Sequence, residues 1–103
     1  MDNFGTDIKT EATDNQLTIF IGKNFTREVV QAFKEAYLNA KDKVHTYIID
    51  FQKTDYMDSS AIAVMMCMKQ DLSTKNIHLV HCNNFIYKTL QLVQFDKVFT
   101  IKR

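Results

Sequence analysis

The chain has 103 residues, of which 46% are hydrophobic and 24% charged, and its formal net charge is +1. That length fits one domain over residues 1–103, and the composition is that of a globular fold rather than a disordered chain. An even charge balance without a basic stripe speaks against nucleic-acid binding, and two glycines with no proline exclude glycine-rich phosphate loops.

Residues 8–12 read as a short strand. Gln16 to Ile21, β-branched and aromatic, read as a second, ended by Gly22, Lys23 and Asn24. From Thr26 the period changes. Val29, Val30, Phe33, Ala36, Tyr37 and Ala40 recur at helical spacing between charged residues, with Thr26 as the expected N-cap and residues 39–43 as the turn that follows. Residues 46–51 are apolar up to Asp50, which predicts a strand covered on both faces. After a loop over 52–56, a helix is expected from Ser59 to about Ser73. A strand follows over 77–82, then a helix capped by Asn84 with Ile86, Leu90 and Val93 on one face. The last strand is expected over 98–101. The order β-β-α-β-α-β-α-β predicts an α/β fold built on a central sheet with crossover helices.

No apolar run reaches the roughly 18–20 residues that would span a bilayer, so no membrane insertion is expected. The N-terminus is polar and acidic, without the basic start and apolar stretch of a signal peptide, which places the chain in the cytoplasm. Cys67 and Cys82 are too few for a disulfide framework and are expected to be buried, reduced thiols.

The segment 48–68 carries the most chemistry. Asp58 stands directly before the second helix, where its carboxylate can cap free backbone N–H groups. Ser59 and Ser60 fill the first turn. Strand ends that lead into helices are where partners usually meet an α/β sheet. A phosphate on Ser59 would sit at a helix N-terminus, which favours anions. Four of the five methionines, Met57, Met65, Met66 and Met68, lie in this loop and helix. The helix is apolar nearly all round. This excess reads first as deeper burial and second as an exposed patch for a partner. On the second reading, a charge at Met57 or Ile62 weakens binding without unfolding.

The run Tyr47-Ile48-Ile49-Asp50-Phe51, followed by Met57-Asp58-Ser59-Ser60-Ala61, resembles the signature of STAS domains, including the bacterial anti-sigma factor antagonists. Residues 20–37 and 95–101 extend the resemblance over nearly the whole chain. It implies a mixed sheet with helices packed mainly on one side and no cofactor. It also implies a phosphorylatable switch in transcription regulation and stress response. A serine kinase that is also an anti-sigma factor binds the unphosphorylated form, and a serine phosphatase resets the cycle. Carried over by position, the phosphoacceptor is Ser59, with Ser60 the second choice. The expected partner surface comprises Asn24, Phe25, Met57 and Asp58, with Ser59 and Ser60. Ala61, Ile62 and Met65 complete it. Ala61 stands where many members carry glycine, and Asn24 where an aspartate often contributes to phosphorylation. STAS domains also serve as adaptors without a phospho-switch, in lipid-transport or stress-sensing assemblies.

Two other chemistries are weaker. A nucleophilic serine needs a base, and His45, His78 and His81 are the candidates. Ser59 does not lie in a Gly-x-Ser-x-Gly elbow, and the element order is wrong for that hydrolase fold, so no enzyme activity is expected. Metal binding by His78, His81 and Cys82 is opposed by strand alternation, which puts His81 on the face away from the other two.

Overall fold

A computed structural model of the chain describes residues 2–3 and 7–103. The sheet has strands β1 (Asp2–Asn3), β2 (Ile8–Thr13), β3 (Gln16–Ile21), β5 (Thr46–Asp50), β7 (Asn76–Val80) and β8 (Thr100–Lys102), side by side in that order. A second, two-stranded ladder joins β4 (Asn24–Phe25) to β6 (Tyr56–Met57) in parallel. The helices are α1 (Arg27–Asn39), α2 (Ser59–Asp71) and α3 (Asn84–Leu92).

The sheet is mixed, as the family resemblance implies. β1, β2 and β3 pair antiparallel, whereas β3, β5, β7 and β8 pair parallel. Each helix connects one parallel strand to the next, and every step runs the same way across the sheet. Right-handed crossovers that all step one way place their helices on the same face. Burial follows that rule: Leu17, Ile19, Ile21, Tyr47, Ile49, Ile77 and Leu79 are buried, while Thr18, Phe20, Ile48, His78 and Val80 alternate with them at intermediate exposure. The apolar run of β5 is thus covered on one face rather than two, because among the described residues no helix crosses to the other side.

Val29, Phe33, Ala36 and Tyr37 turn the buried stripe of α1 into the core. Thr26 stands at its N-cap position, yet its hydroxyl donates to Glu28 Oε2 at 2.9 Å and caps no backbone group. Between α1 and α2, the Tyr37 hydroxyl donates to Asp71 Oδ2 at 2.7 Å. Burial, with this contact to a carboxylate, pushes the Tyr37 phenol well above its usual range. Beneath, the Tyr47 hydroxyl donates to the Tyr37 carbonyl at 3.1 Å, and burial pushes its phenol up to about 12. Gly22 sits at a close approach: its N–H donates to the Asp7 carbonyl at 2.7 Å, and a Cβ there would press on the Asp7 side chain.

Several expected boundaries move. Strand β7 stops at Val80 because His81 adopts the left-handed region at φ 57°. The cap of α3 is Asn83, not Asn84: Asn83 Oδ1 accepts the Ile86 N–H at 2.8 Å. Val93 is exposed, because the helix ends at Leu92 and Gln94 turns left-handed at φ 62°. The last strand begins at Thr100, since Phe95–Lys97 form a 3-10 turn whose Phe95 packs edge-to-face on Phe99 at 5.1 Å. Cys82 is buried and its thiol is pushed up to about 11 by desolvation, but Cys67 is exposed on α2, contrary to expectation.

Candidate functional site

The site forms where two chain crossings are tied together. The short ladder between β4 and β6 sets Asn24 beside Tyr56 and Phe25 beside Met57. Flanking bonds extend it: Asp55 N–H donates to the Lys23 carbonyl at 2.8 Å, and Asp58 N–H to the Phe25 carbonyl at 3.1 Å. The turn after β3 and the start of α2 are therefore one hydrogen-bonded unit.

That unit rests on a firm floor. Phe25 is buried against Phe33, with ring centroids 5.1 Å apart, and against Phe51 at 6.3 Å. The loop before β6 is held from inside by Thr54, fully buried, whose hydroxyl donates to the Ile21 carbonyl at 3.3 Å. From the side, Asn83 Nδ2 donates to the Thr54 carbonyl at 2.9 Å. Asp50 closes the base of the loop. Its Oδ1 accepts the Gln52 N–H at 2.8 Å, and its Oδ2 lies 2.9 Å from His81 Nδ1.

Asp58 caps α2 as its position predicts. Its Oδ1 accepts the N–H groups of Ser60 at 2.9 Å and Ala61 at 3.2 Å. This satisfies two of the four amino-terminal N–H groups that a helix leaves without intrahelical partners. Ser59 is the first residue of α2 and is exposed; Ser60 is half-buried.

The expected surface residues divide in two. Asn24 and Ser59 are exposed, while Asp58, Ser60 and Ile62 are half-buried and reach solvent. Phe25, Met57, Ala61 and Met65 belong to the core and offer no side-chain surface. The reason is geometric. Helix α2 lies beside α1, and Ala61, Val64, Met65, Met68 and Leu72 pack into the common core. Three of the four clustered methionines are thus core, and only Met66 is exposed, at 40%. A charge at Met57 is therefore a packing change, and Ile62 alone of that pair tests a surface.

The histidines take no part at Ser59. His45 is exposed, His78 lies on the sheet face opposite the helices, and His81 is bound to Asp50. Among the described residues no group of three or more His, Cys, Asp or Glu side chains is placed to hold a metal ion. No helix of the described residues is long and apolar enough to cross a membrane. Sequence reasoning missed the bracing by Asp50, His81, Thr54 and Asn83. The one signal for it was a charged residue closing an apolar strand.

Known proteins resemble this chain in sequence and in fold. A STAS-domain containing protein of Pseudomonas aeruginosa (strain UCBPP-PA14) is 28% identical over 92 residues, covering 87% of this chain and 91% of that one. An anti-sigma factor antagonist from Mycobacterium paratuberculosis superposes with a TM-score of 0.83 at 14% identity, covering 98% of this chain and 88% of the other. The phosphorylated form of the Bacillus cell fate determinant SpoIIAA superposes with a TM-score of 0.74 at 17% identity, covering 91% and 89%. At such identities the two structural likenesses are likenesses of fold. The family model described as STAS domain matches residues 7–103, nearly the whole chain, and the chain belongs to that family.

Proposed function

We propose that this chain is an anti-sigma factor antagonist that works as a phosphorylatable switch. It binds a serine kinase that is also an anti-sigma factor, and phosphorylation of Ser59 releases it. A serine phosphatase restores the binding form. The output is regulation of transcription, in a stress response, within the cytoplasm. The chain acts by binding, without a catalytic step or a cofactor of its own.

The observation that carries this reading is the exposed Ser59 hydroxyl at the first position of α2, on a turn fixed by the β4–β6 ladder and the Asp58 cap. A kinase can reach Oγ there without unfolding anything. In the transfer, the bond from the γ-phosphorus of ATP to ADP breaks, a bond to Ser59 Oγ forms, and the hydroxyl proton leaves. The product adds about −1.5 to −2 charges beside the Asp58 carboxylate. The helix dipole favours the new anion on this chain, although the Ser60 and Ala61 N–H groups are already held by Asp58. A partner surface fitted to a neutral hydroxyl loses that fit. Asn24, exposed in the adjoining turn, stands where family members often carry an aspartate, so the kinase acts here on a surface with one carboxylate fewer.

Mass analysis of the protein purified from its own cells tests the site: a phosphate mapped to Ser59 is expected, and one mapped elsewhere overturns it. The switch is tested by Ser59→Asp, which should release the kinase while Ser59→Ala keeps binding. Equal affinity of Ser59→Asp and wild type would sink the charge-switch account.

A further inference from the structure

A single turn grips the loop that leads into Ser59. Between β7 and α3, residues 80–83 make three polar links to residues 50–54. The Phe51 N–H donates to the Val80 carbonyl at 3.0 Å, His81 Nδ1 lies 2.9 Å from Asp50 Oδ2, and Asn83 Nδ2 donates to the Thr54 carbonyl at 2.9 Å. The first two fix the end of β5. The third reaches the far side of the loop, just ahead of β6.

Asn83 uses both ends of its amide. Its Oδ1 accepts the Ile86 N–H and caps α3, which leaves Nδ2 for the loop. Thr54 is fully buried, and Asn83 Nδ2 is the one partner of its carbonyl among the described residues. Thr54 passes the grip inward, because its hydroxyl donates to the Ile21 carbonyl at 3.3 Å. Next along the chain, the Asp55 and Tyr56 N–H groups donate to the Lys23 carbonyl at 2.8 and 3.3 Å, and the β4–β6 ladder begins. The Tyr56 ring also lies nearly parallel to that of Phe85 in α3, at 15° with centroids 6.3 Å apart. Helix α3 is thus joined to the loop on its buried side and to β6 on its exposed side.

We propose that Asn83 is a positioning residue for Ser59: its side-chain amide, by satisfying the buried Thr54 carbonyl, holds the loop that sets where the Ser59 hydroxyl stands. This rests on the function proposed above and names a residue of another element on which phosphorylation depends. A buried carbonyl without a partner is costly, so the backbone moves until the group meets water. Without the Asn83 donor, the segment 52–55 must shift outward. That segment is tied to the first turn of α2 through the bonds of Asp55 to Lys23 and of Asp58 to Phe25. Phosphoryl transfer needs the hydroxyl in line with the donor phosphate, and a misplacement of about 1 Å can cost roughly 100-fold in rate.

The two tasks of Asn83 can be separated by substitution. Asn83→Asp and Asn83→Ser keep an oxygen to cap α3 and lose the amide donor. With the purified kinase-type anti-sigma factor of its own organism, each should lower kcat/KM for Ser59 phosphorylation by roughly tenfold or more, with the melting temperature little changed. Hydrogen exchange should show the Asp55 and Asp58 amides opening faster, while the amides of β5 keep their protection. Asn83→Ala loses the cap as well and should also melt lower. Should the Asp and Ser variants both melt lower too, Thr54→Val repeats the test by removing the bond to Ile21, and Thr54→Ser should rescue it. Unchanged kcat/KM in the variants that keep the cap, with or without a loss in Asn83→Ala, overturns the positioning role and leaves the proposed function standing. Absence of Ser59 phosphorylation in wild type overturns that function and the positioning role together.

Discussion

Helix α2 has two regions that look alike in sequence and differ in the fold. In its body one face is core: Ala61, Val64, Met65 and Met68, with Leu72 just past the end, are buried beside α1, while Met66 and Cys67 face outward. Its first turn, Asp58 to Ser60, opens to solvent on a braced loop. Between Asp58 and Lys69 there is no charged residue to mark the border. The boundary is set by what packs against the helix, not by what the helix is made of. One element can thus be a rigid wall at one end and a contact surface at the other.

Substitutions should separate the two regions sharply. In the body, Met65→Ala is expected to cost about 2–5 kcal/mol, because it opens a cavity at a fully buried position. Denaturant unfolding checks this, and a loss under 1 kcal/mol would mean that the body is a loosely packed surface. The contact between α1 and the end of α2 can be loosened by alkali. The Tyr47 phenol has its pKa raised in the fold from 10.0 to about 12, and that of Tyr37 is raised too. A raised pKa contributes stability that is fully present below pH 10 and is lost as pH climbs through the folded value. For Tyr47 this amounts to roughly 2–3 kcal/mol. Melting temperatures should therefore fall between pH 10 and 12, and ultraviolet titration should show both phenols still protonated at pH 10.

The first turn should respond far less. Asp58→Ala removes a cap on two N–H groups and is expected to cost about 1 kcal/mol. Ser59→Ala should change stability by less than about 0.5 kcal/mol, since the side chain is exposed. A large loss from Ser59→Ala would erase the contrast between the two regions. The thiol on the outer side of α2 gives an independent check. Cys67 should react quickly with a thiol reagent, while Cys82 should react only on unfolding.

Much of the fold was legible because hydrophobic period is a local property. A β-branched and aromatic run marked β3, and the spacing of Val29, Phe33, Ala36 and Tyr37 marked α1. The helix start was legible for the same reason, since Asp58 caps within its own turn. What escaped depends on distant partners. The two-residue strand β6 exists only through its pairing with β4, about thirty residues away in the chain, and nothing in Tyr56-Met57 announces it. Deeper burial is the first reading of the Met-rich helix, but which methionines are core depends on the packing around α2: Met57 and Met65, expected at the partner surface, are buried, and Met66 is exposed. Asn83 and Asn84 are equivalent as letters, and only the geometry of the turn after His81 makes the first of them the cap. The Tyr56–Phe85 pair likewise joins two segments that sequence cannot place side by side.

The small β4–β6 ladder also shapes how the site breathes. The bonds from Asp55 to Lys23 and from Asp58 to Phe25 cross between the same two chain segments. Neither can open without straining the other, so the two amides belong to one cooperative opening unit with a shared rate of exchange with heavy water. A partner seated over Ser59 would slow both together. The protected signal would then extend to Asp55, a residue that partner need not touch.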